Sequence, residues 1–397
     1  MATQNQMLLP LLDALEDSGG KEKTFVLYDK IAERLDIHGE ERNLRVIAGK
    51  AGEINVFERS VRFAQQRAKL MGLANPEGDQ YWAMTGKGEK ALHEASPGKV
   101  VTLFVTEKGV ALWGSCEDAI GYLDDESVQL FFTSPPYPLL RQKQYGNLPA
   151  SDHIEWLLRN VELWLKKIAK DGSIVINLAD VYNPGEPSIS LYQDKLLTMM
   201  ESHLGLKLCQ RFAWLNPSKL PSPAQWVTIE RVRVKSSLEQ IYWLSPSSTP
   251  FADNRAVLRP YSKSMEDRIK SGGERGAKRP SGHQLSEGAF GVDNGGAIPD
   301  NLIIAPNTES NSSYIKACKS HGLPVHPARF PRKLPDFFIS FLTRVGDLVC
   351  DPLGGSAQTG ASAEELGRYW VVIDKIREYL EGGYYRFPGA KKVAASG

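Results

Sequence analysis

Thr133-Ser134-Pro135-Pro136-Tyr137 closes an apolar run, Val128 to Phe132, of the kind that forms a strand buried on both faces. Proline cannot donate a ladder hydrogen bond, and the residue before each proline is driven extended. The two prolines therefore stop the strand and stiffen the loop after it. Loops at the carboxyl ends of open α/β sheets are where ligands bind. This loop offers a hydroxyl at Ser134, the fixed carbonyl of Pro135 and an aromatic face at Tyr137. Two acceptors beside a stacking surface suit a flat base that carries an exocyclic amine. Taken alone, the same residues also fit a strand-ending turn without chemistry.

A second element, Asp351-Pro352-Leu353-Gly354-Gly355-Ser356 through Thr359-Gly360, follows the short apolar strand Asp347 to Cys350 and precedes a helical stretch, Ala361 to Leu366. Glycines let a backbone approach a ligand closely, and a helix start offers free N–H groups to a carboxylate. The next strand, Tyr369 to Ile373, ends on Asp374. A carboxylate there in a βαβ unit accepts hydrogen bonds from ribose hydroxyls. The alternatives are a tight turn for the glycines and a helix N-cap for Asp374.

Together these motifs resemble those of amino-methylating DNA methyltransferases, which alkylate an exocyclic nitrogen of cytosine or adenine. The glycine loop is similar to the family's Asp-Pro-Phe-x-Gly-Ser-Gly-Thr-Thr pattern, departing at Leu353, Ala357 and Gln358. His326-Pro-Ala-Arg-Phe330-Pro331 resembles the family's His-x-Ala-x-Phe-Pro segment. His326 also fits a structural imidazole that satisfies a buried carbonyl. Trp113-Gly114-Ser115 stands where relatives usually have Gly-Asp. The catalytic loop precedes the cofactor loop by more than 200 residues, as in the permuted beta arrangement, and the resemblance spans Leu112 to Gly383.

The resemblance implies that Ser134, Pro135, Pro136 and Tyr137 are catalytic. It implies that Thr133, His326, Phe330, Pro331, Asp351, Pro352, Leu353, Gly354, Gly355, Ser356, Thr359 and Asp374 bind S-adenosyl-L-methionine. The base would be flipped out of duplex DNA and attacked in line. Serine at the first position of the catalytic tetrapeptide points to cytosine N4. Adenine N6 is the alternative, and an inactive DNA-binding regulator is a second, given Ser115, Ala357 and Gln358. A homodimer and a cognate restriction endonuclease are further expectations from the family.

These elements need an α/β, Rossmann-like sheet, expected as a catalytic part over 100–245 and a cofactor-binding part over 323–397. The remainder is expected to read DNA. Residues 1–95 give helical patterns over Met7–Glu16, Phe25–Leu35 and Phe57–Leu73, then a β-like piece, Gln80–Thr85, ending at Gly86 to Gly88. Helices followed by a small ribbon read as a winged helix, and the segment resembles the N-terminal domain of Mrr-type restriction proteins. On the third helix Phe57, Val61, Ala64, Ala68 and Met71 share one stripe, with Arg59, Arg62, Gln66 and Lys69 opposite. That basic face suits phosphates, although a solvated helix surface looks the same.

Residues 246–322 are expected to form a target-recognition insert. Arg255 to Arg279 holds eight basic residues against three acids, running into a Gly/Ser/Pro-rich stretch typical of a mobile loop. Lys219, Arg255, Arg259, Lys263, Arg275, Lys278 and Arg279 are the candidates for DNA contact there and beside the catalytic strands. The net charge of +1 requires any such footprint to be local. The start of the chain has no leader pattern and no apolar run approaches membrane-spanning length, so a cytoplasmic protein is expected. Cys116, Cys209, Cys318 and Cys350 lack metal-ligand spacing, so no metal is expected. None of them follows a proline, which argues against methylation of a cytosine ring carbon.

Overall fold

A computed structural model describes residues 7–47, 53–95, 97–138, 150–278, 282, 284–308 and 312–393. Ten strands form one mixed sheet. In chain order they are β1 (Val101–Val105), β2 (Gly109–Trp113), β3 (Val128–Thr133), β4 (Ile168–Leu178), β5 (Lys207–Leu215), β6 (Leu238–Ser245), β7 (Leu302–Ile304), β8 (Leu348–Asp351), β9 (Tyr369–Asp374) and β10 (Lys391–Lys392). Their spatial order is β7-β5-β6-β4-β3-β8-β9-β2-β1-β10. The five central strands β4, β3, β8, β9 and β2 are mutually parallel.

Central parallel strands must bury both faces, so they read as unbroken apolar runs. Every residue of β3 is buried. Phe131 points to one face and stacks on Trp164 of the helix Ala150–Leu165, with centroids 5.5 Å apart. Phe132 points to the other and packs edge-on against Phe330 at 5.4 Å and beside Phe338 of the helix Lys333–Leu342. The segment that ends in Ser134-Pro135-Pro136-Tyr137 is thus anchored from both sides.

The chain leaves β8 through the helix Gln358–Glu365 toward β9, and leaves β3 through the helix Ala150–Leu165 toward β4. β8 and β3 are neighbours, so the crossovers diverge between them. A crevice opens at such a switch point, outside the strands' carboxyl ends. Asp351 ends β8 and Ser134 follows β3, which places both motifs at its mouth.

The N-terminal segment carries helices Leu8–Glu16, Thr24–Arg34, Val56–Leu70 and Gly86–His93 around a three-stranded antiparallel sheet of Lys21–Lys23, Tyr81–Met84 and Ala74–Pro76. Asn55 caps the third helix by accepting from the Glu58 N–H at 3.0 Å. Phe57, Val61, Ala64 and Ala68 are buried on it as expected, but Met71 lies just past its end and is 43% exposed. The stretch Gly86 to Gly88 starts a helix rather than merely ending the ribbon. Thr85 accepts from the Gly88 N–H at 3.0 Å, which makes it an N-cap that the glycines obscured.

This segment is docked on the large sheet beside the end of β9. Asp13 and Arg377 pair at 2.6 Å with both side chains 14% exposed. The Ala95 N–H donates to the Lys375 carbonyl at 2.9 Å, and His93 bonds Glu16 and Glu378. Removing Arg377 would leave Asp13 as a largely buried charge without its guanidinium partner, whereas Arg377 without Asp13 keeps its 2.9 Å pairing with Glu381.

Within the expected insert, the helix Lys263–Lys270 and a short ladder of Ala277–Lys278 with Gln284–Leu285 stand apart from the sheet. Within the glycine-rich stretch, the Glu274 N–H donates to the Ala289 carbonyl, and the Gly288 N–H to that of Glu274. β7 rejoins the large sheet beside β5, and the helix Ser313–Ser320 packs on the helix Arg377–Tyr384. Among the described residues, no helix is long and apolar enough to cross a membrane.

Candidate active site

A cavity of about 750 Å³ occupies the switch-point crevice. On one side it is lined by Ser134, Pro135, Pro136 and Tyr137; on the other by Pro352, Leu353 and Asp374; and across the mouth by His326 and Phe330. Two motifs 217 residues apart in the chain therefore open into one space.

Parallel pairing of Thr133 with Ile176 sets Ser134 level with Asn177 at the ends of β3 and β4. Antiparallel pairing of β6 with β4 brings Glu239 to the same rim. The Ser134 and Tyr137 hydroxyl oxygens lie 2.8 Å apart. Asn177 Nδ2 is 3.2 Å from Ser134 Oγ and 3.0 Å from the Tyr137 oxygen. Glu239 accepts from Tyr137 at 3.1 Å and from Lys219 Nζ at 3.2 Å. Burial, with Glu239 beside it, pushes the Tyr137 hydroxyl well above its usual range, so it stays a neutral phenol. Burial holds His153, a further cavity residue, down at about 4, so this imidazole is also neutral at pH 7.

Asp374 is pinned by two backbone donors, Gly355 N–H to Oδ2 and Ile376 N–H to Oδ1, each at 2.8 Å. Burial raises its pKa to about 6 against those two bonds. Gly355 has φ +49°, and a Cβ there would sit 2.7 Å from His326 Nε2. Glycine is needed at this position on both counts. Ala357, at φ +55°, keeps the left-handed backbone that the resembled pattern assigns to glycine.

Several expected cofactor residues lie behind the cavity rather than on its lining. Asp351 is buried, accepting from Thr359 Oγ1 at 2.5 Å and from the Leu353 N–H at 3.3 Å. Thr133, Pro331, Gly355, Ser356 and Thr359 are buried too, and Gly354 is half-buried. Arg386 holds the Ser356 carbonyl at 2.8 Å. These residues shape the loop from beneath. Ser115 reaches the cavity wall but is engaged as an N-cap, accepting from the Asp118 N–H at 3.1 Å and donating to Asp118 Oδ2 at 2.8 Å.

The residues expected to contact DNA lie on several parts of the fold. Arg59, Arg62 and Lys69 are exposed on the N-terminal segment, with Arg62 Nε bonded to the Tyr28 hydroxyl at 2.8 Å. Lys219 lies inside the cavity on Glu239 instead of on an outer surface. Arg255 is bonded to Asp253 and Arg259 to Asp300, while Lys263 and Arg275 are exposed on the insert. Lys278 belongs to the insert's ladder, and Arg279 lies outside the described residues. Sequence motifs do not single out Asn177 or Glu239. Their signal is a polar residue at the end of an otherwise apolar strand.

Residues 128–384 match the family described as DNA methylase, and residues 5–94 match the Mrr N-terminal domain. The chain belongs to the DNA methylase family. The methylase is 40% identical over 286 residues to the type II methyltransferase M.PvuII of Proteus hauseri, covering 72% of this chain and 85% of that protein. It is 23% identical over 269 residues to M.BglII of Bacillus subtilis, covering 67% and 65% of the two chains. Among solved structures it resembles the PvuII DNA methyltransferase (cytosine-N4-specific), with TM-score 0.58 and 35% identity over 72% of this chain and 88% of that one.

Proposed function

We propose that the methylase transfers a methyl group from S-adenosyl-L-methionine to the exocyclic N4 of cytosine in duplex DNA, at a specific site and with the base flipped out. The observation that carries this reading is the cavity that joins the Ser134–Tyr137 loop to Asp374. The residues present fit the methyl donor. Asp374 has a carboxylate whose oxygens each retain a lone pair for ribose hydroxyls, and Pro352, Leu353, Ile376 and Tyr379 supply apolar wall around it. When bound there, the donor brings a sulfonium methyl already activated for displacement.

The protein's part is then positioning. An exocyclic amine is a poor nucleophile because its lone pair is conjugated with the ring. Ser134 Oγ and the Pro135 carbonyl accept its N–H bonds and favour a more pyramidal nitrogen, which frees that lone pair. Inside a duplex the amine cannot align with the methyl group, so flipping costs a few kcal/mol. Stacking on Tyr137 returns on the order of 1–3 kcal/mol. The serine at the head of the tetrapeptide and the likeness to a cytosine-N4-specific enzyme support N4. The type II names of the two relatives support a partner endonuclease. Incubating the protein with duplex DNA and donor carrying a labelled methyl tests the reading, because label must appear in the DNA.

Cofactor affinity should rise with pH through about 6: burial favours protonated Asp374, and only the ionised form accepts two ribose hydrogen bonds well. From pH 5 to pH 7 the Kd should fall by up to about tenfold, and Asp374→Asn should flatten the profile, as read by calorimetry. Separately, the winged-helix-like N-terminal segment adds DNA affinity through its basic face. Replacing Arg59, Arg62 and Lys69 with alanine should make the slope of log K against log salt shallower, by about 0.9 for each phosphate that is no longer neutralised. An unchanged slope would assign that face another purpose.

A further inference from the structure

The cluster of Ser134, Tyr137, Asn177, Glu239 and Lys219 has a direction that chemistry fixes. A carboxylate only accepts, so the Tyr137 hydroxyl donates to Glu239 Oε2 at 3.1 Å. The Tyr137 oxygen must then be the acceptor in its 2.8 Å bond with Ser134. A chain of two hydroxyls thus leads from the catalytic loop to an acid on a different strand. Asn177 Nδ2 lies within 3.2 Å of Ser134 and 3.0 Å of both Tyr137 and Glu239, where its two hydrogens brace the chain from the side. Lys219 holds the other carboxylate oxygen, Oε1, at 3.2 Å and compensates its charge. The Glu239 side chain is only 13% exposed, so an acid left there without such partners would be costly.

We propose that Glu239 is a positioning residue for Ser134 and the final proton acceptor of the methyl transfer, acting through Tyr137. This rests on the reading of the site as an amine-methylating centre at Ser134. The balance is closed. The exocyclic nitrogen gains an N–C bond as the sulfonium S–C bond breaks, leaving a neutral thioether. One proton leaves the nitrogen for Ser134 Oγ, the Ser134 proton moves to the Tyr137 oxygen, and the Tyr137 proton moves to Glu239 Oε2. The amine ends neutral and singly methylated, both hydroxyls are restored, and Glu239 ends as the acid, with its exposed edge as the exit to solvent. Because its hydroxyl stays neutral, Tyr137 passes the proton on without holding a charge.

Glu239→Gln keeps the size and an acceptor oxygen but cannot take the proton. Measured in single turnovers on duplex DNA, its methylation rate should fall by about 10²-fold or more. The Kd for S-adenosyl-L-methionine and the KM for DNA should stay within about threefold. Tyr137→Phe keeps the stacking ring, cuts the chain and should lose a similar factor. The double variant should be no slower than the slower single one, because both act on one path. A Glu239→Gln rate within about threefold of the parent, or losses that multiply in the double variant, would overturn the proposal. Should Glu239→Gln not fold, Tyr137→Phe decides alone, and its full activity would overturn it. An active enzyme with an unaffected Glu239→Gln variant removes only this proposal. A parent protein that never labels DNA removes the reading of the site as well.

Discussion

Replacing Ser134 with alanine lowers turnover by about 10²–10³-fold while leaving the Kd for S-adenosyl-L-methionine within about twofold, the pattern expected when a group acts on the transition state alone. Ser134 sits at the end of β3 with its backbone held by a strand buried on both faces, so truncation leaves the loop in place. Its hydroxyl bonds Tyr137 at 2.8 Å and Asn177 at 3.2 Å, both away from the Asp374 loop. Loss of this acceptor therefore costs the amine its orientation and leaves the far end of the cavity untouched. Single-turnover rates and calorimetry on the same preparation separate the two quantities.

Asp374→Ala gives the converse result. Each hydrogen bond from a ribose hydroxyl to this carboxylate is worth about 1.5–3 kcal/mol, so the donor's Kd should rise by at least about tenfold. Asp374 also anchors the glycine loop through the Gly355 N–H, and the turn after its own strand through the Ile376 N–H. Losing that clamp frees the backbone beneath His326, which adds to the loss. The fold should survive, since the side chain sits at the sheet's rim, and the far-UV circular dichroism should be unchanged. At saturating donor the methylation rate should return most of the way to the parent value.

The contrast between these two residues and Glu239 shows what a sequence can carry. Ser134 and Asp374 are legible because each is embedded in a local pattern: a strand followed by two prolines, or a strand that ends on an acid after a glycine turn. Local patterns reflect local backbone demands, and those survive in the linear order. Glu239 and Asn177 reach the site through sheet register instead. Ile241 pairs with Asn177 across β6 and β4, and Thr133 pairs with Ile176 across β3 and β4. No short motif records which residue faces which. Lys219 is visible as a charge, but its place inside the cavity follows from its pairing with Glu239.

In the expected cofactor loop, the same residues that the motif marks must also build the loop. Asp351, Thr359 and Ser356 spend their polar groups on one another, on Leu353 and on Arg386, and so hold the shape that lets Asp374 and Leu353 face the cavity. Similarly, the helix Gly86–His93 escapes a reading of the sequence because two glycines hide a threonine N-cap. That helix leads the N-terminal segment onto Lys375, one residue beyond Asp374, and joins the expected DNA-reading part to the cofactor rim.

The most direct test of the account is the identity of the modified nucleoside. Duplex DNA containing many sequences, methylated by the protein and digested to nucleosides, should contain N4-methylcytosine by mass spectrometry, with at least about a hundredfold less formed by Ser134→Ala in the same time. A digest holding only N6-methyladenine would contradict the choice of cytosine, and one holding no methylated nucleoside would contradict the assignment of a methyl-transfer site to this cavity.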